Sequence, residues 1–327
     1  MDALSEILRI IKLDSAIYLN GEFSEPWCLA TPEAGHMAQM LKSGTRQIII
    51  YHLLCEGQAY VQLPDQGRVT LTAGDLITFP HGHRHLLGGG SRMTPVDVCE
   101  TLPTVLESGL ELMHFGGGGA TCRFICGFLG YDAQLSQSIF GGLPPLIKVN
   151  IRDDASGQWL ENSLKFSVAQ ASKNEAGADA MLTKLSEVLF AETLRRFIRD
   201  LPEGETGWLA GTRDLEVGKA LTLIHQRHAH PWTVAELARK TGLSRTVLSE
   251  RFRHFLGEPP MTYLTRWRLR LGARSLGTTS HSVAQIAIEA GYESEAAFNR
   301  AFKREYGLPP ARYRKANNTE RQSEMGS

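Results

Sequence analysis

The sequence predicts an α+β chain of two domains: an N-terminal β-barrel or jelly roll with a helical pair, followed by an all-α domain containing two helix-turn-helix units. Three observations lead there. Short β-patterned runs crowd residues 16–129, helical periodicity takes over at 157–200, and residues 233–313 carry one helical motif twice.

The repeat is direct. Ala235-Glu-Leu-Ala-Arg-Lys-Thr-Gly-Leu243 lies over Ala284-Gln-Ile-Ala-Ile-Glu-Ala-Gly-Tyr292, and Leu248, Phe252, Gly257 and Tyr263 lie over Phe298, Phe302, Gly307 and Tyr313. In the first copy Val234, Leu237 and Ala238 form an apolar stripe, Gly242 ends the first helix, and Ser244 caps a second with Val247, Leu248, Phe252 and Phe255 inward. In the second, Val283, Ile286 and Ala287 form the stripe, with Ala297, Phe298, Ala301 and Phe302 on the inner face. Each copy reads as helix, tight turn, helix.

The outer faces of the second helices are polar and basic: Arg245, Thr246, Ser249, Arg251 and Arg253, then Ser294, Asn299, Arg300, Lys303 and Arg304. A solvated helix face explains one such surface. Two of them, joined by 261–276 with Arg266, Arg268 and Arg270, point to double-stranded DNA, where Arg and Asn read base edges and Lys and hydroxyls hold phosphates.

The stretch from Trp232 to Lys315 resembles the DNA-binding domain of the AraC/XylS transcriptional regulators, notably in Ala290-Gly-Tyr-Glu-Ser294, Phe298-Asn-Arg-Ala-Phe302 and Gly307-Leu-Pro-Pro-Ala-Arg-Tyr313. That resemblance implies base contacts from Arg245, Thr246, Ser249 and Glu250 in one groove and from Glu295, Ala296, Asn299 and Arg300 in the next. Arg253, Arg266, Arg268, Ser294 and Lys303 complete the expected DNA-binding set.

Among 327 residues, 35 Lys/Arg balance 35 Asp/Glu, yet the halves differ. Residues 212–327 hold 19 Lys/Arg against 11 Asp/Glu, so the basic half is the DNA-binding one. Five cysteines, irregularly spaced, argue against a secreted disulfide scaffold. The amphipathic start, with Leu4, Ile7, Leu8 and Ile11 on one face, lacks a signal-peptide core, and the longest apolar run, 48–54, is too short for a bilayer. A cytoplasmic protein without a membrane partner is expected.

The N-terminal strands are expected at 16–19, 47–54, 59–63, 69–72, 76–79 and 121–129, enough for a barrel or jelly roll. Gly74-Asp-Leu-Ile-Thr-Phe-Pro80-His-Gly82-His-Arg-His85 resembles the second motif of the cupin barrels, as in the sensor domain of cupin-type AraC regulators. The enzymatic cupins hold metal through a preceding His-x-His and a Glu; here His52 stands alone, so a metal-dependent cupin enzyme fused to a DNA-binding domain is disfavoured. No cofactor is required. His52, His83 and His85 are the candidate ligands for Zn²⁺ or Cu²⁺, and the alternative is that only His85 points inward, hydrogen-bonded in the barrel.

Cys122 and Cys126 lie on one face of one strand, about 13 Å apart at roughly 3.3 Å per residue, too far to pair. They are inert core thiols, partners of Cys28, Cys55 or Cys99, or lone oxidant sensors, the last if Arg123 or a barrel histidine lowers a thiol pKa. The Met1-Asp-Ala-Leu-Ser start, the strand ending at His52 and the Cys126-Gly127 pair are similar to activators that sense reactive chlorine species. Gly88–Gly90 and Gly116–Gly119 bracket a poorly patterned stretch and read as loops at the barrel mouth.

Residues 157–200 predict an antiparallel helix pair broken at Asn174–Gly177, with Trp159, Leu160, Leu164 and Val168, then Met181, Leu182, Leu185, Leu189, Leu194 and Ile198 on its apolar faces. In cupin-type regulators such a pair forms a dimer interface; covering the barrel is the other reading. The expected domains are a barrel at 1–155, the pair and a linker at 156–207, the DNA-binding domain at 208–315 and a polar tail at 316–327. Together they predict a non-enzymatic, sequence-specific regulator, an activator working with RNA polymerase at a promoter or operator, whose barrel senses a small molecule, metal or oxidant. A ligand-independent DNA-binding protein is the remaining alternative.

Overall fold

The computed structural model describes residues 2–11, 13–41, 47–107, 109–131 and 140–316. The chain forms two compact units, one of Lys12–Asp132 with Leu143–Asp200, the other of Met1–Ile11, Ala133–Gly142 and Leu201–Ser327. The expected 316–327 tail lies, from 317 on, outside the described residues.

The first unit is a two-sheet β-sandwich of jelly-roll character. One sheet runs in the order β11 (Ile147–Asn150), β6 (Asp75–Phe79), β3 (Ile48–Glu56), β10 (Thr121–Tyr131), β1 (Leu13–Ser24), β9 (Met113–Gly116). The other runs β5 (Val69–Thr72), β4 (Gln58–Gln62), β7 (His85–Gly89), β2 (Trp27–Thr31), β8 (Val96–Asp97). The core between them includes Phe23, Trp27, Ile50, Leu54, Phe79 and Phe124.

Strand β3 is apolar without alternation for a physical reason. Ile48, Ile50 and Leu54 join the core between the sheets, while Tyr51 faces the other way and its hydroxyl meets Ser186 Oγ at 2.6 Å. Ser186 belongs to the second of two helices, α4 (Ala155–Ala171) and α5 (Ala178–Arg199), and α5 packs on β1, β10 and β11. The expected pair is therefore present, with Asn174 and Gly177 at positive φ in its turn, and it covers the larger sheet. Leu160, Leu164, Val168, Leu182, Leu189 and Leu194 are buried; Trp159 and Met181, expected on the same faces, are exposed.

The stretch expected as loops holds structure. Gly88 and Gly89 sit inside β7, paired with β2, because a Cβ at Gly88 would lie 2.4 Å from Tyr60 Oη and one at Gly89 2.5 Å from Trp27 Nε1. These are close-packing glycines of a strand. Farther on, α3 (Val98–Glu107), which contains Pro103, buries Leu102 and Val105. A short helix, α2 (Ala34–Met40), packs on β3 and α3.

The second unit is helical. It comprises α1 (Ala3–Ile10), α6 (Trp208–Arg213), α7 (Leu215–Gln226), α8 (Val234–Thr241), α9 (Arg245–Leu256), α10 (Pro260–Thr278), α11 (Val283–Glu289) and α12 (Glu295–Tyr306). At the start of the chain Ile7 and Ile11 are buried and α1 packs on α6 and α7, where Gln226 Nε2 donates to Glu6 Oε1 at 3.2 Å. Its apolar stripe needed a partner, and the helical unit supplies one. Below α10, Trp208 Nε1 donates to Tyr263 Oη at 2.9 Å, leaving that hydroxyl to donate to His225 Nε2 at 2.8 Å.

Buried histidines make both units sensitive to mild acid. Burial pushes the His225 pKa down to about 3 and that of His85 to about 4. Burial, then the neighbouring His85, hold His52 well below its usual range. Below about pH 6.5 the unfolded chain takes up protons that the native rings refuse, so stability falls as pH drops, by up to about 1.4 kcal/mol per pH unit for each ring. Thermal melts between pH 7.5 and 5 should show falling midpoints before any carboxylate titrates, and Tyr263→Phe, which orphans His225, should lower the second unit's stability by about 1–3 kcal/mol.

Candidate nucleic-acid interface and barrel cavity

Each helix-turn-helix is set by the same local devices. Thr233, Ser244, Ser282 and Ser294 cap α8, α9, α11 and α12, each side-chain oxygen accepting from the backbone N–H three residues on. Gly242, at φ 80°, closes α8, and Gly291, at φ 85°, makes the corresponding turn after α11. A side chain at Gly291 would place Cβ 2.6 Å from Ala229 Cα, so that turn tolerates only glycine.

Inward anchoring then fixes how each second helix is rotated. Leu248 and Phe252 of α9 are fully buried, as are Phe298 and Phe302 of α12, the latter pair packed with Leu269, Ala273, Leu276, Ile286 and Ala287. Opposite these anchors, Arg245, Thr246, Glu250 and Arg253 are exposed and Ser249 is half-buried; in α12, Glu295, Ala296, Arg300 and Lys303 are exposed, Ser294 at the cap is exposed, and Asn299 is half-buried. Every residue expected to read bases therefore lies on an outer face. Val247, expected inward, is exposed on that face too, because only the 248/252 spacing meets the core.

The arginines sort by their partners. Arg245, Arg253, Arg300 and Lys303 make no ion pair or side-chain hydrogen bond among the described residues, so their charge is uncompensated. Arg251 instead pairs with Asp214 and with Glu216 at 3.2 Å, and Arg266 with Glu258 at 2.9 Å and Glu305 at 3.6 Å. Arg268 departs furthest from expectation. Its Nε donates to the His228 carbonyl at 2.6 Å and its second nitrogen to the His230 carbonyl at 2.8 Å, so it ties α10 to the segment before α8 rather than facing a phosphate.

In the barrel, the structure brings His52 and His85 together and leaves His83 apart. The two Nε2 atoms lie 2.9 Å apart, and His85 Nδ1 sits 2.8 Å from the His83 carbonyl. A carbonyl only accepts, so His85 carries its proton on Nδ1, its Nε2 accepts, and His52 Nε2 donates. His52 Nδ1 is then an acceptor, buried and unpartnered. The expected metal set does not assemble: among the described residues no three His, Cys, Asp or Glu side chains are placed to hold an ion, because both His85 nitrogens are already engaged and only the main chain of His83 reaches the pair.

Cys28, Cys55, Cys122 and Cys126 are buried thiols and Cys99 is half-buried. All five are free; burial raises the Cys122 pKa to about 12 and that of Cys126 well above the usual thiol range. Arg123, expected to lower a thiol pKa, is engaged with Asn20 Oδ1 at 3.1 Å. Cys126 faces His52 across the β10–β3 ladder, and both line a cavity of about 240 Å³ between the sheets. Its walls are apolar: Phe23, Trp27, Phe115 and Phe124 from the strands, Leu102 and Val105 from α3.

Comparison with known proteins accords with this architecture. Residues 2–199 match the family model described as Cupin, more than half the chain, and residues 237–316 match one described as a helix-turn-helix domain. An AraC-like transcription regulator from Streptomyces antibioticus is 36% identical over 96% of this chain and 99% of its own. The chain is an AraC-type transcriptional regulator with a cupin domain. It is also similar to the HTH-type transcriptional regulator AlkR of Acinetobacter baylyi (29% identity, 96% of this chain, 99% of AlkR). The RCS-specific HTH-type transcriptional activator RclR of Escherichia coli is 26% identical over 96% of this chain and 97% of its own. No helix among the described residues is long and apolar enough to cross a membrane.

Sequence reading of the regulator missed the cavity wall. Val98, Leu102 and Val105 repeat at helical spacing, a signal masked by Pro103 and by the glycines on either side. The different roles of its arginines are separable by denaturation. Arg268→Ala should cost about 1.5–3 kcal/mol by removing two charge-assisted bonds, whereas Arg300→Ala should change stability by less than about 0.5 kcal/mol.

Proposed function

We propose that the regulator binds a promoter or operator through α9 and α12 in successive major grooves, and that a small molecule held in the barrel adjusts that binding. The observation that carries the DNA reading is the shared rotation of the two helices, which turns Arg245, Thr246, Ser249, Glu250 and Arg253, then Glu295, Ala296, Asn299, Arg300 and Lys303, away from the core, with four cations that have no partner among the described residues. Glu250 and Glu295 suit cytosine amino groups, Asn299 suits adenine, and Arg300 suits guanine. The high thiol pKa values favour a small-molecule effector over an oxidant, and the engaged His52–His85 pair disfavours a metal.

Activation, through contact with RNA polymerase, is supported by the activator name of the Escherichia coli relative. Homodimerisation is supported by the outer face of α4, where Trp159 and Phe166, two turns apart, are 62% and 59% exposed.

Fluorescence anisotropy with DNA from upstream of the regulator's own gene tests this. Affinity should fall steeply with salt. Arg300→Ala should lose about 1–3 kcal/mol of discrimination at one base pair, while Arg253→Ala should weaken all sequences alike and reduce the salt slope by about one. Unchanged preference in Arg300→Ala, or no salt dependence, would remove the assignment. Trp159→Glu with Phe166→Glu should convert dimer to monomer by analytical ultracentrifugation.

A further inference from the structure

Close-packed interiors keep few voids larger than a water molecule, yet the two sheets and α3 enclose about 240 Å³ walled mainly by aromatic and aliphatic side chains. Its charges are few. No Lys or Arg lines it, and its acidic residue, Glu100, is exposed at the start of α3. His114, also on the wall, is engaged with Glu22 at 3.1 Å. His52 stays neutral, because burial and then His85 hold its pKa well below the usual range. A carboxylate therefore meets no free cation there, and an ammonium ion meets only a solvated carboxylate, which offers it little.

The polar atoms of the wall are neutral or out of reach. Trp27 Nε1 and His52 Nδ1 have no hydrogen-bond partner, but both atoms are sealed from water. Trp27 Nε1 lies against Gly89, where a Cβ would come within 2.5 Å of it. Tyr18 and Thr31 add uncharged hydroxyls to a lining that is otherwise mostly hydrocarbon. Binding there must draw on apolar area removed from water. As to size, a 150 Å³ apolar cavity accepts benzene, so about 240 Å³ takes roughly ten non-hydrogen atoms. One wall differs from the strands: α3 brings Leu102 and Val105, both buried, and among the described residues no backbone hydrogen bond joins it to a strand. A ligand lying against these two side chains adds apolar contact to a wall outside the hydrogen-bonded ladders.

We infer that this cavity holds an uncharged, largely hydrocarbon molecule of about ten non-hydrogen atoms, clasped between the strands and α3, and that it discriminates against carboxylates and ammonium ions of the same skeleton. The inference rests on the reading that the barrel is the effector-binding part, but its test is separate. Full-length regulator would be titrated calorimetrically into butylbenzene, 3-phenylpropanoate and 3-phenylpropylammonium, with DNA affinity measured in parallel. Butylbenzene should bind saturably, and each charged analogue at least about tenfold more weakly, because its charge must leave water or hold the chain partly outside. Hydrogen exchange should show the amides of Val98–Glu107 protected by butylbenzene. Leu102→Trp, which fills the cavity, should abolish butylbenzene binding. No saturable binding of butylbenzene, equal or tighter binding of either charged analogue, or protection confined to other segments would each overturn the inference, whether or not the variant folds. A folded Leu102→Trp protein that binds butylbenzene as before would overturn it too. Butylbenzene binding with no change in DNA affinity would leave the cavity assignment standing and remove effector control from the proposed function.

Discussion

Burial of one narrow stripe on each second helix is the constraint from which the DNA-facing surface follows. Leu248 with Phe252, and Phe298 with Phe302, are one helical turn apart and wholly excluded from water, each contributing about 1.5–3 kcal/mol. A helix held by residues at i and i+4 cannot rotate about its axis without exposing them. The polar residues opposite are therefore aimed by hydrophobic packing, and Arg245, Arg253, Arg300 and Lys303 have no side-chain partner among the described residues.

The arginines that do have partners hold the frame. Arg251 pairs with Asp214, the residue that also caps α7, and Arg268 gathers the carbonyls of His228 and His230 beside the Gly291 turn. Trp208, Tyr263 and His225 form a buried polar relay beneath the same helices. Cationic side chains of one type thus divide between those that brace the frame and those left without a partner among the described residues, and only their surroundings separate them.

The barrel repeats this theme with histidine. Three histidines within five residues invite a metal reading, yet the backbone turns only His85 fully inward, where its two nitrogens serve the His83 carbonyl and His52. Close packing of the sheets depends on what is missing as much as on what is present, since Gly88 and Gly89 admit Tyr60 and Trp27. That a glycine run forms a buried strand could not be read from composition, because nothing local distinguishes a loop glycine from one pressed by a distant aromatic ring.

The sequence alone determined the duplicated helix-turn-helix, its capping residues, its outward face, the helical pair and the strand-rich N-terminal domain, because each is written in residues a few positions apart with a periodicity that survives any context. The tertiary structure decided the rest: that α1 packs on α6 and α7, that Arg268 braces α10, that Val98–Glu107 is a helix walling a cavity, and that His52 is paired with His85 beside it. Those outcomes depend on partners 33 to 220 residues away, such as His85 for His52 and Gln226 for Glu6, and local sequence carries no record of which distant group will arrive to satisfy a charge, a lone pair or an apolar stripe.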